Sequence, residues 1–498
     1  MRVTGMMAKV SFGSVVKWLL WCGWLALFIG GVANYSGSWL TYTTFSLVFL
    51  AMLLSGLYRQ VSYGYLFLVV MLWLGFWLKI TVHLLVDYPF GESTGLFDKS
   101  PSAWDEVLLI TTMGSIGVVV ARALYQRFSL VSSSMVVRLN DEKFLAPVWY
   151  LAKRRWVWAG LIIVCVGLAI INSSLGILQV GLVPRTILPW PLNAVISWLV
   201  GYGLTLGIAT LLWWDIVLGK NVSLVVYFVL IEAFTSTLSL FSRGAYIFHV
   251  IPQFFSLFKN RSRVIGWSRN NIIAVSATFI VLFAISYPLV NKLRAHYYSY
   301  APMAGEFSVL GADADADTDT GVSELNKLAR FGVDRWIGAE GLMAVWAHPG
   351  KGSDLFWEGI RERREVGKDT LYIEISRAVA FRAADKTKFQ FTEIPGAMAF
   401  LYYSGKLWIV ALGMFVFAWA VLASEALVSK YTGNPILCAL WGGMTANAVT
   451  QFGVAPRSLL ITLFEMICGI AAIWFVQSEY LSRGLQKTGL TKNMKSGA

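Results

Sequence analysis

Apolar residues in this chain come in long blocks separated by short polar breaks, and that alternation predicts most of its elements. Crossing a hydrocarbon core about 30 Å thick takes about 20 apolar residues in a helix. Twelve blocks approach that length: Val15–Val32, Trp39–Leu57, Tyr63–Val86, Trp104–Tyr125, Trp156–Ile171, Leu192–Trp213, Val222–Leu240, Ala245–Leu257, Ile272–Val290, Leu407–Leu427, Pro435–Phe452 and Leu459–Val476. The eighth is the shortest and carries Pro252. A polar stretch, Asn291 to Thr392, interrupts the series and divides the chain into residues 1–290 with nine spans, 291–392, and 393–498 with the last three. The predicted fold class is all-α: a polytopic inner-membrane protein of about twelve transmembrane helices with one large helical periplasmic loop.

Inside the polar stretch the apolar spacing is helical. Ser323 is placed to cap a helix over Glu324–Phe331, and Ser353 to cap Asp354–Glu365. A third helix is expected over Thr370–Ala384. Residues 394–405, bounded by Pro395 and Gly405, are apolar but too short to span, so they read as a half-helix dipping into the membrane. Its N-terminus would offer amide donors to an anion. Val15–Val32 lacks a small-residue cleavage site and is followed by further spans, so it reads as a first helix that stays.

Charge sets the expected orientation. Arg2, Lys9 and Lys17 place the N-terminus in the cytoplasm, and every second break thereafter is basic, from Arg59 through Arg127–Arg155, Lys220, Lys259–Arg269 and Lys430 to the tail with Arg483–Lys495. Both termini then lie inside and 291–392 lies outside. The chain of 498 residues is 57% hydrophobic and only 14% charged, which excludes an ordinary soluble domain. Its net charge of +13 is no nucleic-acid signal, because 291–392 balances 14 basic against 15 acidic residues and the surplus flanks the spans. Cys22, Cys165, Cys438 and Cys468 sit in apolar runs without metal-ligand spacing.

Three arginines break the charge rule on the outer side: Arg185, Arg243 and Arg457, each beside Pro or Gly. Together with Arg294, Arg330 and Arg335 they form a candidate diphosphate-binding set, since a guanidinium donates bidentate hydrogen bonds to phosphate and keeps its charge. Arg361, Arg363 and Arg364 alternate with Glu362 and Glu365 and read as a solvated helix face. Asp313, Asp315, Asp317, Asp319 and Glu324 match a calcium loop except that Thr318 stands where the turn needs Gly, so no metal is assigned.

The loop Gly181–Arg185 with Pro189, Ser242–Gly244 after a span, the large loop before the tenth span, and Glu393–Gly396 leading to Phe400–Gly405 together resemble Wzy-type O-antigen polymerases, relatives of the O-antigen ligases. The likeness includes two Arg-x10-Gly spacings, Arg294 to Gly305 and Arg330 to Gly341. It implies a metal-independent, cofactor-free glycosyltransferase of the bacterial inner membrane. Such an enzyme moves glycan from an undecaprenyl-diphosphate donor to a lipid-linked acceptor, and the likeness leaves room for a chain-length regulator as partner. A ligase and a lipid-oligosaccharide flippase are the alternatives. His296 and His348 are candidates for the base that deprotonates the acceptor hydroxyl, with Glu340, set among glycines, as the third. Tyr298, Trp336, Tyr402 and Tyr403 offer rings to sugar faces. Glu232 and Glu465 fall in mid-span, where a buried carboxylate is either functional or a structural partner of Lys79 or another span.

Overall fold

The computed structural model describes residues 12–58, 62–131, 146–298, 332–363, 365–378, 385, 387–389, 393–453 and 456–487. Among them the fold is all-α, with a single isolated bridge between Leu182 and Phe389. The first nine helices are α1 (Phe12–Asn34), α2 (Trp39–Leu57), α3 (Tyr63–Val86), α4 (Pro101–Val131), α5 (Val148–Leu175), α6 (Leu192–Val217), α7 (Val226–Leu240), α8 (Arg243–Lys259) and α9 (Arg269–Tyr298). Then come four short ones, α10 (Ala339–Ala347), α11 (Ser353–Arg361), α12 (Leu371–Ser376) and α13 (Ala397–Tyr402). The chain closes with α14 (Leu407–Thr432), α15 (Pro435–Thr450) and α16 (Pro456–Lys487).

Each of the twelve apolar blocks falls mainly within a helix, with Val222–Val225 ahead of α7 and Gln451 and Phe452 just past α15. Among the described residues seven helices are long and apolar enough to cross a membrane, α2 to α6, α9 and α14, with shorter apolar helices in α1, α7 and α16. Large apolar side chains point outward from several of them, such as Ile163 and Ile170 on α5, Ile280 on α9 and Phe464 on α16. Such a surface suits lipid and not water.

Helix starts are capped from neighbouring helices. Asp105 of α4 accepts from the Ser38 amide at 3.0 Å just ahead of α2, and Glu425 of α14 accepts from the Tyr63 and Gly64 amides and the Ser62 hydroxyl at 2.9, 2.6 and 2.7 Å. A carboxylate there meets both the orphan N–H groups and the positive end of the helix dipole. Two apolar cores result. The first joins α2, α3, α4 and α14, and the second joins α5 to α8 with α15.

The centre of the polar stretch departs from expectation. Helix α10 has no counterpart among the elements the sequence predicts, and Ala339, Leu342, Met343, Ala344 and Val345 are wholly buried in the first core. Glycine makes this approach feasible: a Cβ on Gly341 would run into the Pro395 carbonyl, and one on Gly75 into that of Ile337. Gly75 lies in a π-helical turn of α3, Trp73–Leu78.

The helix expected to run to Ala384 stops at Ser376, where Arg377 takes the left-handed conformation (φ 56°). The expected half-helix is α13, but all six of its residues are buried, and its start packs against Gly341 and Thr450, so it is closed to an anion. Arg361 and Arg363 are exposed, as a solvated face requires. The helix expected over Glu324–Phe331 and the Asp-rich run 313–319 lie outside the described residues.

Candidate functional site

Four of the six candidate arginines gather along the C-terminal half of α9. Tyr287, Asn291, Arg294 and Tyr297 recur at helical spacing and share a face there. Arg243, the first residue of α8, donates to Asn291 Oδ1 at 3.1 Å and lies over the Tyr287 ring, 5.0 Å from its centroid. Arg335 reaches the same Tyr287 from the turn before α10, donating to its hydroxyl at 3.2 Å. Arg294 donates twice to the Phe241 carbonyl, at 2.9 and 2.6 Å. That carbonyl is turned toward it because Phe241 ends α7 in the left-handed conformation (φ 55°).

The Phe241 ring lies 5.2 Å from that of Tyr297, and Arg185 sits over Tyr297 at 5.0 Å. The loop carrying Arg185 is fixed at both ends, by Val180 N–H on the Leu240 carbonyl and by Val183 N–H on the Lys388 carbonyl, at 2.9 and 3.0 Å.

The electrostatics are one-sided. The positive charges of Arg335 and Arg294 act on Arg243, which is itself half-buried. Among the described residues no Asp or Glu forms an ion pair with Arg185, Arg243 or Arg335. Tyrosine faces and amide oxygens hold these guanidinium groups instead, which orients them while leaving their charge uncompensated. Such an array is suited to a multiply charged anion.

The other predicted residues fare differently. Arg330 lies outside the described residues, and the side chains of Arg457 and Tyr298 do too. His296 is exposed and meets Tyr297 edge-on, so it borders the cluster. His348 stands at the far end of α10, about 15 Å along that helix from Gly338, and its charged neighbours are Lys351 and Arg377. Partial burial and those two cations hold its imidazole below the usual histidine range. Trp336 donates to the Gly332 carbonyl at 3.0 Å and keeps part of its ring exposed. Tyr402 and Tyr403 are buried, so their rings serve packing and are closed to a sugar.

Glu340 is not free to act as a base at an open mouth. It is 1% exposed, and both its oxygens accept from Lys79 Nζ, at 2.7 and 2.9 Å. The ion pair expected between Lys79 and a mid-span glutamate is therefore made with α10 instead. Glu232 pairs with His249 of α8 at 3.1 Å and accepts from Thr205 and Ser236, at 3.0 and 2.9 Å.

Around Lys79 lies a network that the sequence pattern does not announce. Lys79 also donates to the Asp334 carbonyl at 3.2 Å. One turn further along α3, His83 places Nε2 2.9 Å from Asp334 Oδ1 and Nδ1 2.9 Å from the Tyr88 carbonyl. Its ring is sandwiched between Tyr88 and Phe90, with centroids 4.0 and 3.9 Å away. Lys79 and His83 thus hold the turn that carries Arg335. The available signal is that two ionisable residues stand one helical turn apart in an apolar block.

Glu92, in the loop between α3 and α4, and Glu393, before α13, complete the network. Burial pushes the Glu92 carboxyl up to about 8, with Glu340, Glu393 and Asp334 adding to the rise and Lys79 opposing it. Burial raises Glu393 as well.

Comparison of the chain with protein-family models, with curated proteins and with solved structures found no match.

Proposed function

We propose that this chain is a membrane glycosyltransferase that polymerises undecaprenyl-diphosphate-linked oligosaccharide units. In this reading the twelve helical blocks all span, both termini are cytoplasmic, and 291–392 faces the periplasm. The observation that carries it is the meeting of Arg185, Arg243, Arg294 and Arg335 on the α9 face, with no pairing carboxylate among the described residues for Arg185, Arg243 or Arg335. When the bond between the donor sugar and its diphosphate breaks, negative charge grows on the leaving oxygen. Pre-oriented guanidinium groups stabilise that charge more than they stabilise the intact donor, which lowers the barrier. Tyr287 between Arg243 and Arg335, and Tyr297 beneath Arg185, keep the donors in place before substrate arrives. The resemblance to Wzy-type polymerases supplies the substrate class.

The test is transfer by the purified protein in proteoliposomes supplied with lipid-linked repeat units, read as glycan chain length on a gel. Arg243→Ala, Arg294→Ala and Arg335→Ala are each expected to slow chain growth by about 100-fold or more. The surface variant Lys368→Ala keeps the wild-type rate. Activity within twofold of wild type in all three cluster variants, at normal protein levels, removes the proposal.

A further inference from the structure

Away from the arginine cluster the structure has an open cavity of about 700 Å³ beside α11. One side of α11 is anchored. Leu355 is buried, and Gly359 lies so close to the Phe400 and Tyr403 rings that a Cβ there would stand 3.0 Å from Tyr403. Asp354, Trp357, Glu358 and Arg361 recur at i, i+3, i+4 and i+7, so they share the face turned away from that anchor, and all four line the cavity. The rest of the lining comes from the chain that turns back after α11. Gly367 takes the left-handed conformation (φ 89°) in that turn, Glu362 Oε1 accepts from the Leu371 N–H at 2.7 Å, and the Thr370 side chain caps α12. Glu362, Leu371 and Glu374 thereby line the same cavity as Trp357, whose side of the helix leaves it 53% exposed.

The lining decides what the cavity admits. Its volume falls in the range of about 300–1,000 Å³ that small-molecule sites occupy. Carboxylates outnumber cations along it, which repels an anion such as a diphosphate. Among the described residues no three His, Cys, Asp or Glu side chains are arranged to hold a metal ion. A wholly apolar ligand would strip water from the carboxylates and return no hydrogen bond. What fits is an uncharged group with an apolar face for the indole and hydroxyls for the charged side chains. A sugar ring has both, with C–H groups on one face and O–H groups around its edge.

We propose that this cavity binds the glycan of the lipid-linked substrate, with a sugar ring stacked on Trp357, its hydroxyls donating to Glu358 and Glu362 and accepting from Arg361. The inference rests on the transferase reading for the identity of that glycan, and it adds where sugars beyond the reacting one are held. None of the cluster arginines Arg185, Arg243, Arg294 and Arg335 lines the cavity. Binding here therefore grips the substrate away from the reacting bond, equally before and during transfer, which lowers KM and leaves kcat unchanged.

The test uses the full-length protein in micelles, with the free oligosaccharide released by mild acid from lipid-linked repeat units as the probe. Isothermal titration of the wild type is expected to show binding. Trp357→Ala should weaken it by about tenfold or more, and Trp357→Phe, which keeps a ring face, should restore most of the loss. Trp357 is exposed, so neither change should lower the thermal unfolding temperature. In proteoliposomes Trp357→Ala should raise KM for the lipid-linked unit by a like factor with kcat within twofold. A wild type that does not bind the oligosaccharide, including one that takes up spermine in its place, overturns the inference, and so does binding that Trp357→Ala leaves within twofold. The arginine assignment stands in either case. Binding that is lost in Trp357→Ala, from a protein that transfers nothing, would keep the cavity as a glycan site and remove the transferase reading.

Discussion

At the scale of single residues the decisive contrast is between charges that are matched and charges that are not. Lys79 and Glu340 are both 1% exposed and bonded to each other. Removing one partner strands the other in an apolar core, and Lys79→Ala is expected to cost about 3–5 kcal/mol of stability. Replacing both, as Lys79→Met with Glu340→Met, should restore most of that loss. Denaturant unfolding of the purified protein in micelles measures the two variants side by side, and an equally damaged double variant would mean the pair does more than neutralise itself.

Arg185, Arg243 and Arg335 meet no such carboxylate among the described residues, and residue type and place in the expected charge pattern make them legible in the sequence. A guanidinium on the side of a membrane where positive charge is rare stands out. The groups that orient them do not, because Tyr287 and Asn291 look like any residues on a helix. Nor can the sequence show that Glu340, set among glycines, faces inward: the glycines that seem to open it to substrate instead let its helix press against Pro395 and Gly75.

Among the elements, α10 is the one that departs furthest from a surface loop. The hydrophobic pattern marks its neighbours, but nine residues, Ala339–Ala347, are too few to register as a span, and the charges on either side read as loop. The twelve long blocks are legible because each repeats its apolar signal over many turns. A short buried helix is specified by its contacts, and those lie far away in sequence. Its burial can be checked by labelling. Ala344→Cys should resist a membrane-impermeant maleimide in folded protein, whereas Asp354→Cys, exposed on α11, should react within minutes. Rapid labelling at 344 without detergent would place α10 on the surface. Background is manageable, because of the native cysteines only Cys22 and Cys468 are exposed, both within apolar helices.

For the whole molecule, the proposed topology makes a claim that does not depend on chemistry. Reporter fusions active only outside the cytoplasm should be silent after Lys487 and active after Glu362, and a reversed result would overturn the orientation read from the basic breaks. The closure of α10 onto α3 also bears on how the protein is made. Glu340 lies 261 residues after Lys79, so the nascent α3 is made with a bare ammonium, long before the ribosome has produced its counter-charge. Until that late segment arrives the half-built chain carries an unquenched cation in its hydrophobic interior, and its maturation is therefore a two-stage event: burial of α3 first, then docking of the start of α10 against it.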